Sequence, residues 1–204
     1  MLTNPFLGKK PSQFQINPIV KAFIISDSFL WSGWNFITPI FAIFVTQGVA
    51  GGTMELAASA YSVHLIARVL VELISGKLLQ TSTDLKKYLA TILGILVLTI
   101  SYLGFAQAIN ITQIFLFYAL AGVGLGIASP AKNSLFSSHL DKNKETSEWG
   151  LYDASVFIGM AASSSLGGFV AKEYGFQNLF YLSAVITVLS VIPYLLFLNT
   201  KKAK

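Results

Sequence analysis

The residues able to do chemistry are few, and several fall where charge is costly. Asp27 lies eight residues into an apolar stretch, 19–47, and shares one stripe of it with Trp31, Trp34 and Thr38, about 60° wide at ~100° per residue. Asn35 sits beside that stripe and Pro39 follows it. In the next apolar stretch His64, Arg68 and Glu72 stand at i, i+4 and i+8 and form one polar ridge. Lys132 and Asp153 lie about as deep in two later stretches, each roughly six residues from an end. A carboxylate inside a membrane helix costs at least about 3 kcal/mol, so it normally faces protein or a water-filled cavity. In a wet cavity such an acid binds a proton more readily than in water. The expected chemistry is therefore reversible protonation, with Asp27, Glu72 and Arg68 as the coupling groups and Trp31 and Trp34 offering apolar or cation–π contacts to a substrate. Blander readings stand beside these: Asp27 snorkelling to an interface, Arg68 and Glu72 pairing with each other, and the indoles packing between helices.

Other chemistries find no residues. There is no cysteine, and His64 and His139 are too few and too far apart for a zinc cluster. No nucleophile–base spacing and no phosphate loop is present, so neither an enzyme nor a bound cofactor is expected.

The elements that must position these groups are membrane helices. The chain is 54% hydrophobic and 11% charged, with mean hydropathy +0.66, against about 25% charged for a soluble domain. Spans that can cross a bilayer core take about 20 helical residues. Six are expected, at about 19–47, 54–80, 88–108, 112–138, 147–171 and 178–198. The expected organisation is a cytoplasmic lead-in over 1–18, a transmembrane domain over 19–198 and a basic tail over 199–204. Glycines at 48, 51 and 52 make the first turn, and Asn110 marks another. Lys9, Lys10, Lys86, Lys87, Lys142, Lys144, Lys201, Lys202 and Lys204 fall on one side of this topology, and Lys172 on the other. That bias predicts both termini in the cytoplasm of a bacterial-type plasma membrane. It also explains the net charge of +5 without nucleic acid.

A weak internal repeat runs through the chain. Gly33, Pro39, Tyr61 and Gly76 recur 91 residues later as Gly124, Pro130, Tyr152 and Gly167. Three spans per unit makes the two units inverted in the membrane, a 3+3 design typical of secondary transporters. The fifth span carries the most specific motif: Gly150, eight residues, Gly159, three residues, Ser163-Ser164, two residues, Gly167-Gly168. It resembles the antiporter motif of drug/proton exporters of the major facilitator superfamily, with Ser163-Ser164 in place of a Gly-Pro. Gly76-Lys77-Leu78 followed by Lys86 and Lys87 resembles the superfamily's loop between helices two and three, with Gln80 at the aspartate position. Gly122, Gly124, Gly126 and Pro130-Ala131 resemble its fourth helix, with Tyr118 near the place of the family's arginine.

The resemblance covers roughly 20–198 and matches the N-terminal half of a twelve-helix transporter. It implies an all-α, six-helix bundle in which helices one and four line the substrate path. Asp27 and Lys132 would then face that path and could pair, with Asn35 and Asp153 among the lining residues. Six helices lack a second wall. With both termini on one side, two copies can sit in parallel about a two-fold along the membrane normal. The expectation is a homodimeric, proton-coupled exporter of a small molecule. A subunit of a heterodimeric transporter and a non-transporting scaffold are the alternatives, and the intramembrane charges weigh against the scaffold.

Overall fold

A computed structural model describes residues 16–196. Lys9, Lys10, Lys201, Lys202 and Lys204, on which much of the expected charge bias rests, lie outside the described residues, as do most of the lead-in and the whole tail. Every regular element described is helical: α1 (Pro18–Ile37), a 3-10 turn (Thr38–Ile40), α2 (Phe41–Gly48), α3 (Met54–Leu79), α4 (Asp84–Phe105), α5 (Ile111–His139) and α6 (Glu145–Leu189). Five helical stretches are long and apolar enough to cross a membrane, counting Pro18–Gly48 and Glu145–Leu196 as one each.

The helix starts follow capping chemistry. Asn17 accepts from the Ile19 amide with Pro18 at the first helical position, and Thr53 accepts from the Leu56 amide. Asn110 and Gln113 form a reciprocal capping box. Asp84 opens α4, where its charge suits the positive helix end. That helix therefore begins four residues before the expected span at 88–108, so Lys86 and Lys87 lie in its first turn rather than in a loop.

The prolines organise the interior. Pro39 has no N–H and ends α1 in the 3-10 turn. The Asn35 carbonyl it leaves without a helical donor accepts from Ser164 Oγ at 3.3 Å. Pro130 inside α5 likewise frees the Gly126 carbonyl, which accepts from Ser75 Oγ of α3 at 2.6 Å. In hydrocarbon a freed carbonyl must find a donor from a neighbouring helix, so each proline fastens its helix to another.

α6 is not one rod. Gly175 has φ 83° and ψ 166°, a conformation that suits glycine. Before it, the chain runs parallel to α1: a Cβ on Gly159 would meet Ser32, and one on Gly167 would meet Phe36. After it, the direction relative to α1 is reversed, with Thr187 against Gly33 and the Ser190 carbonyl accepting from Ser26. The loop expected around 172–177 is thus a turn carried by one non-helical residue.

Close glycine contacts bring the helices together. A Cβ on Gly94 would lie 2.4 Å from the Gly124 carbonyl, and one on Gly33 would lie 2.2 Å from Thr187 Oγ1. Two aromatic clusters fill the space between. Phe23, Tyr88, Phe136 and Tyr194 pack near the α1 start, and Phe41, Phe105, Tyr118 and Phe180 pack near its end.

Candidate functional site

Lys132 of α5 reaches Asp27 of α1, Nζ to Oδ2 at 2.5 Å, with both side chains almost fully buried. The Tyr152 hydroxyl of α6 donates to the same carboxylate oxygen. Lys132 also lies 3.4 Å from the Tyr152 hydroxyl and 3.3 Å from Asn133 Oδ1. Three helices therefore meet at one oxygen. The other oxygen, Oδ1, is buried and has no hydrogen-bond partner among the described residues. Asp27 is about 13 Å along α1 from Pro18 at 1.5 Å per residue, well inside a hydrocarbon half-thickness of about 15 Å. A carboxylate here is held by a cation and a phenol but keeps one lone-pair-rich oxygen open.

A second polar group lies on α3. Arg68 Nε pairs with Glu72 at 3.2 Å, and Arg68 Nη2 donates to Ser129 Oγ at 3.2 Å. The two charged side chains are about a quarter and a third exposed, 26% and 35%. The internal Arg68–Glu72 pair weighed from the sequence is present. Ser129 is its unexpected third member, three residues before Lys132 on the same helix. His64 is buried and departs from the exposed end of the ridge, lying against Trp34 with ring centroids 4.8 Å apart and against Tyr61 at 5.7 Å.

The remaining candidate residues separate. Trp34 packs on His64, as the helix-packing reading has it, and Trp31 neighbours Tyr152. Asn35 Nδ2 donates to the Trp31 carbonyl at 3.1 Å. Asp153 is exposed and is not brought to the Asp27 cluster; its neighbour Tyr152 takes that place. Lys87 donates to Ser134 Oγ at 2.9 Å, beside Gly76, which lies near Pro130, while Lys86 is exposed.

The motif glycines divide into two faces. Gly159 and Gly167 press on α1, where a Cβ on Gly167 would sit 2.0 Å from the Phe36 carbonyl; a Cβ on Gly150 or Gly168 would meet nothing within 4 Å among the described residues. Asp153, Ala154, Phe157 and Ala161 are exposed on the same side as Gly150 and Gly168.

A bundle of membrane-length helices around a buried ion pair is the architecture of an integral membrane protein. The chain belongs to the Major Facilitator Superfamily, whose family profile matches residues 23–204. It is 24% identical over 200 residues to a proton-coupled antiporter flippase LtaA of Staphylococcus epidermidis, covering 95% of this chain and 50% of that protein. It is 24% identical over 173 residues to a multi-drug resistance efflux pump PmrA homolog of Lactococcus lactis, covering 84% and 42%. Quinolone resistance protein NorA of Staphylococcus aureus is 20% identical over 174 residues, covering 85% and 43%. Among solved structures, the POT family transporter PepTSo superposes with TM-score 0.78 at 14% identity, covering 89% of this chain and 37% of that one. The chain thus spans about half the length of the relatives it matches. These relatives are transporters rather than enzymes.

Proposed function

We propose that the chain forms one six-helix wall of a proton-coupled exporter of small amphipathic molecules, completed by a second copy in parallel and working by alternating access. The observation that carries this reading is Asp27, buried at membrane depth between Lys132 and Tyr152 with Oδ1 unpartnered. A proton taken up by Asp27 neutralises the carboxylate and weakens its hold on Lys132, and Asp27 gives that proton up to water when it pairs with the Lys132 ammonium again. Binding energy that differs between those two states is what coupling requires. Arg68 and Glu72 take the second role, as charges at the edge of the path. The relatives named as a proton-coupled antiporter and as efflux pumps point the same way.

Six crossings follow when the two parts of α6, which run in opposite directions along α1, are counted separately. The inverted 3+3 arrangement is supported by swapped contacts. Pro39 of the first unit is served by Ser164 of the second, and Pro130 of the second by Ser75 of the first. The need for a second wall is supported by the face carrying Gly150, Asp153 and Gly168, since an exposed carboxylate at this depth does not face lipid. In this reading both termini are cytoplasmic.

Reconstitution into proteoliposomes with an imposed pH gradient tests the proposal. Efflux of an amphipathic fluorescent cation should depend on the gradient in the wild type. Asp27→Asn should lose that dependence while inserting normally. Unchanged coupling in the variant would remove Asp27 from the mechanism. Native mass spectrometry from nanodiscs should show a dimer of the chain; a stable monomer would assign the second wall to a different chain.

A further inference from the structure

A large cavity lies away from the ion pair, on the outer side of the bundle. It has a volume of about 640 Å3 between the start of α1 and the segment after α6, inside the roughly 300–1,000 Å3 range of ligand pockets. Lys21, Ile25 and Phe29 follow one another at i, i+4 and i+8 along its α1 wall, and Ile192 and Leu196 line the other. Two prolines shape it. Pro18 starts α1, and Pro193 follows a break at Ser190–Val191 that offsets the last helical turn. Lys21 is the one charged residue in the lining. It is exposed and makes no ion pair with a described carboxylate.

We propose that this groove is a binding site for one acyl chain of an anionic phospholipid whose phosphate sits on the Lys21 ammonium. The dimensions and the charge agree. From Lys21 to Phe29 the groove follows about 12 Å of helix, against about 15 Å for the hydrocarbon of one leaflet. The apolar walls match a chain, and the single cation stands at the end of α1 nearest the headgroups. A basic residue at that level attracts anionic lipid by about a fivefold gain in occupancy per charge. The site is distinct from the Asp27 cluster, and it depends on membrane insertion but not on the transport reading.

The test is retention of lipid by the whole chain, released from nanodiscs of phosphatidylcholine mixed with phosphatidylglycerol and weighed by native mass spectrometry. Wild type should keep one phosphatidylglycerol per chain in preference to phosphatidylcholine. Lys21→Gln, on the surface, should lower that occupancy about fivefold. Ile25→Trp, which fills the groove from an exposed position, should lower retention of both lipids. Equal retention of the two lipids by wild type, or variants that retain lipid as wild type does, would overturn the proposal. So would a wild type that keeps no lipid, the result expected if residues of this chain occupy the groove. A dimer that Ile25→Trp turns into monomer would assign the groove to a second copy and overturn it as well.

Discussion

Two ion pairs of the same chemistry lie in this bundle, and they are treated in opposite ways. Asp27 and Lys132 are closed in by α1, α5 and α6, with side-chain exposures of 2% and 4%. Arg68 and Glu72 sit on α3, at 26% and 35%, with Ser129 as the tie to α5. The first pair is contained within one bundle, and each charge depends on the other. The second is anchored at one side and open at the other, so a second bundle can still change its environment. Burial rather than residue type separates a pair closed in by its own bundle from a pair still open on one side. In a dry site, removing one partner strands the other, whereas a pair facing a water-filled path exchanges its partner for water at little cost.

The largest expected effect comes from splitting the buried pair. Lys132→Ala leaves the Asp27 carboxylate without its cation, and Asp27→Ala leaves the ammonium stranded; each should cost about 3–5 kcal/mol. The measurement is the midpoint of thermal loss of the monodisperse peak in detergent. The double replacement Asp27→Leu with Lys132→Met should regain most of that loss, because a well-packed apolar pair is often neutral or better. It should also show no gradient-driven transport. A double variant no more stable than either single one would mean that the pair is not a unit.

The next effect tests the two faces of the α6 motif. Gly167→Ala places a Cβ 2.0 Å from the Phe36 carbonyl, so α1 and α6 must part, at a cost of about 1–3 kcal/mol. Gly168→Ala meets nothing within 4 Å among the described residues and should leave the stability of the chain unchanged. If a second bundle packs on that face, Gly168→Ala should instead weaken the dimer, read by native mass spectrometry.

How much of this was legible in the residues varies by feature. The membrane helices follow from apolar length, and their ends fell within a few residues of expectation wherever a capping side chain marked them. The Asp27–Lys132 pair followed from depth along two helices, once the family resemblance set those helices side by side. Tyr152 is masked in the sequence by its charged neighbour Asp153, the residue type that a site would favour. A signal was present: Tyr152 is seven residues before Gly159 and fifteen before Gly167, the two glycines that face α1, so it shares their stripe. Ser164 and Ser75 escaped for another reason. A hydroxyl serving a carbonyl four residues before a proline on a different helix leaves no local pattern, and only the packed fold brings them together. The turn at Gly175 was expected as a loop because the polar run 172–175 looks like one. A single glycine in the left-handed region does the same work in fewer residues.

The smallest effect on stability should fall on the open pair, and it is the most informative. Where the pair faces a water-filled path, as the proposed function has it, Arg68→Ala removes a partly exposed ion pair and one bond to Ser129, worth together about 0–1 kcal/mol. The variant should therefore insert, fold and elute as wild type does. If the openness of this pair reflects a working role, transport should nonetheless fall by far more than stability does. Arg68→Lys separates charge from geometry. A lysine keeps the positive charge but cannot span Glu72 and Ser129 with one planar fork. Transport by Arg68→Lys near the wild-type level would mean that charge alone is used. A loss as deep as in Arg68→Ala would mean that the fork between α3 and α5 is the working part. Transport unchanged in both variants would make the pair a local i,i+4 contact with no part in the path, and the contrast between the two pairs would then be one of burial only.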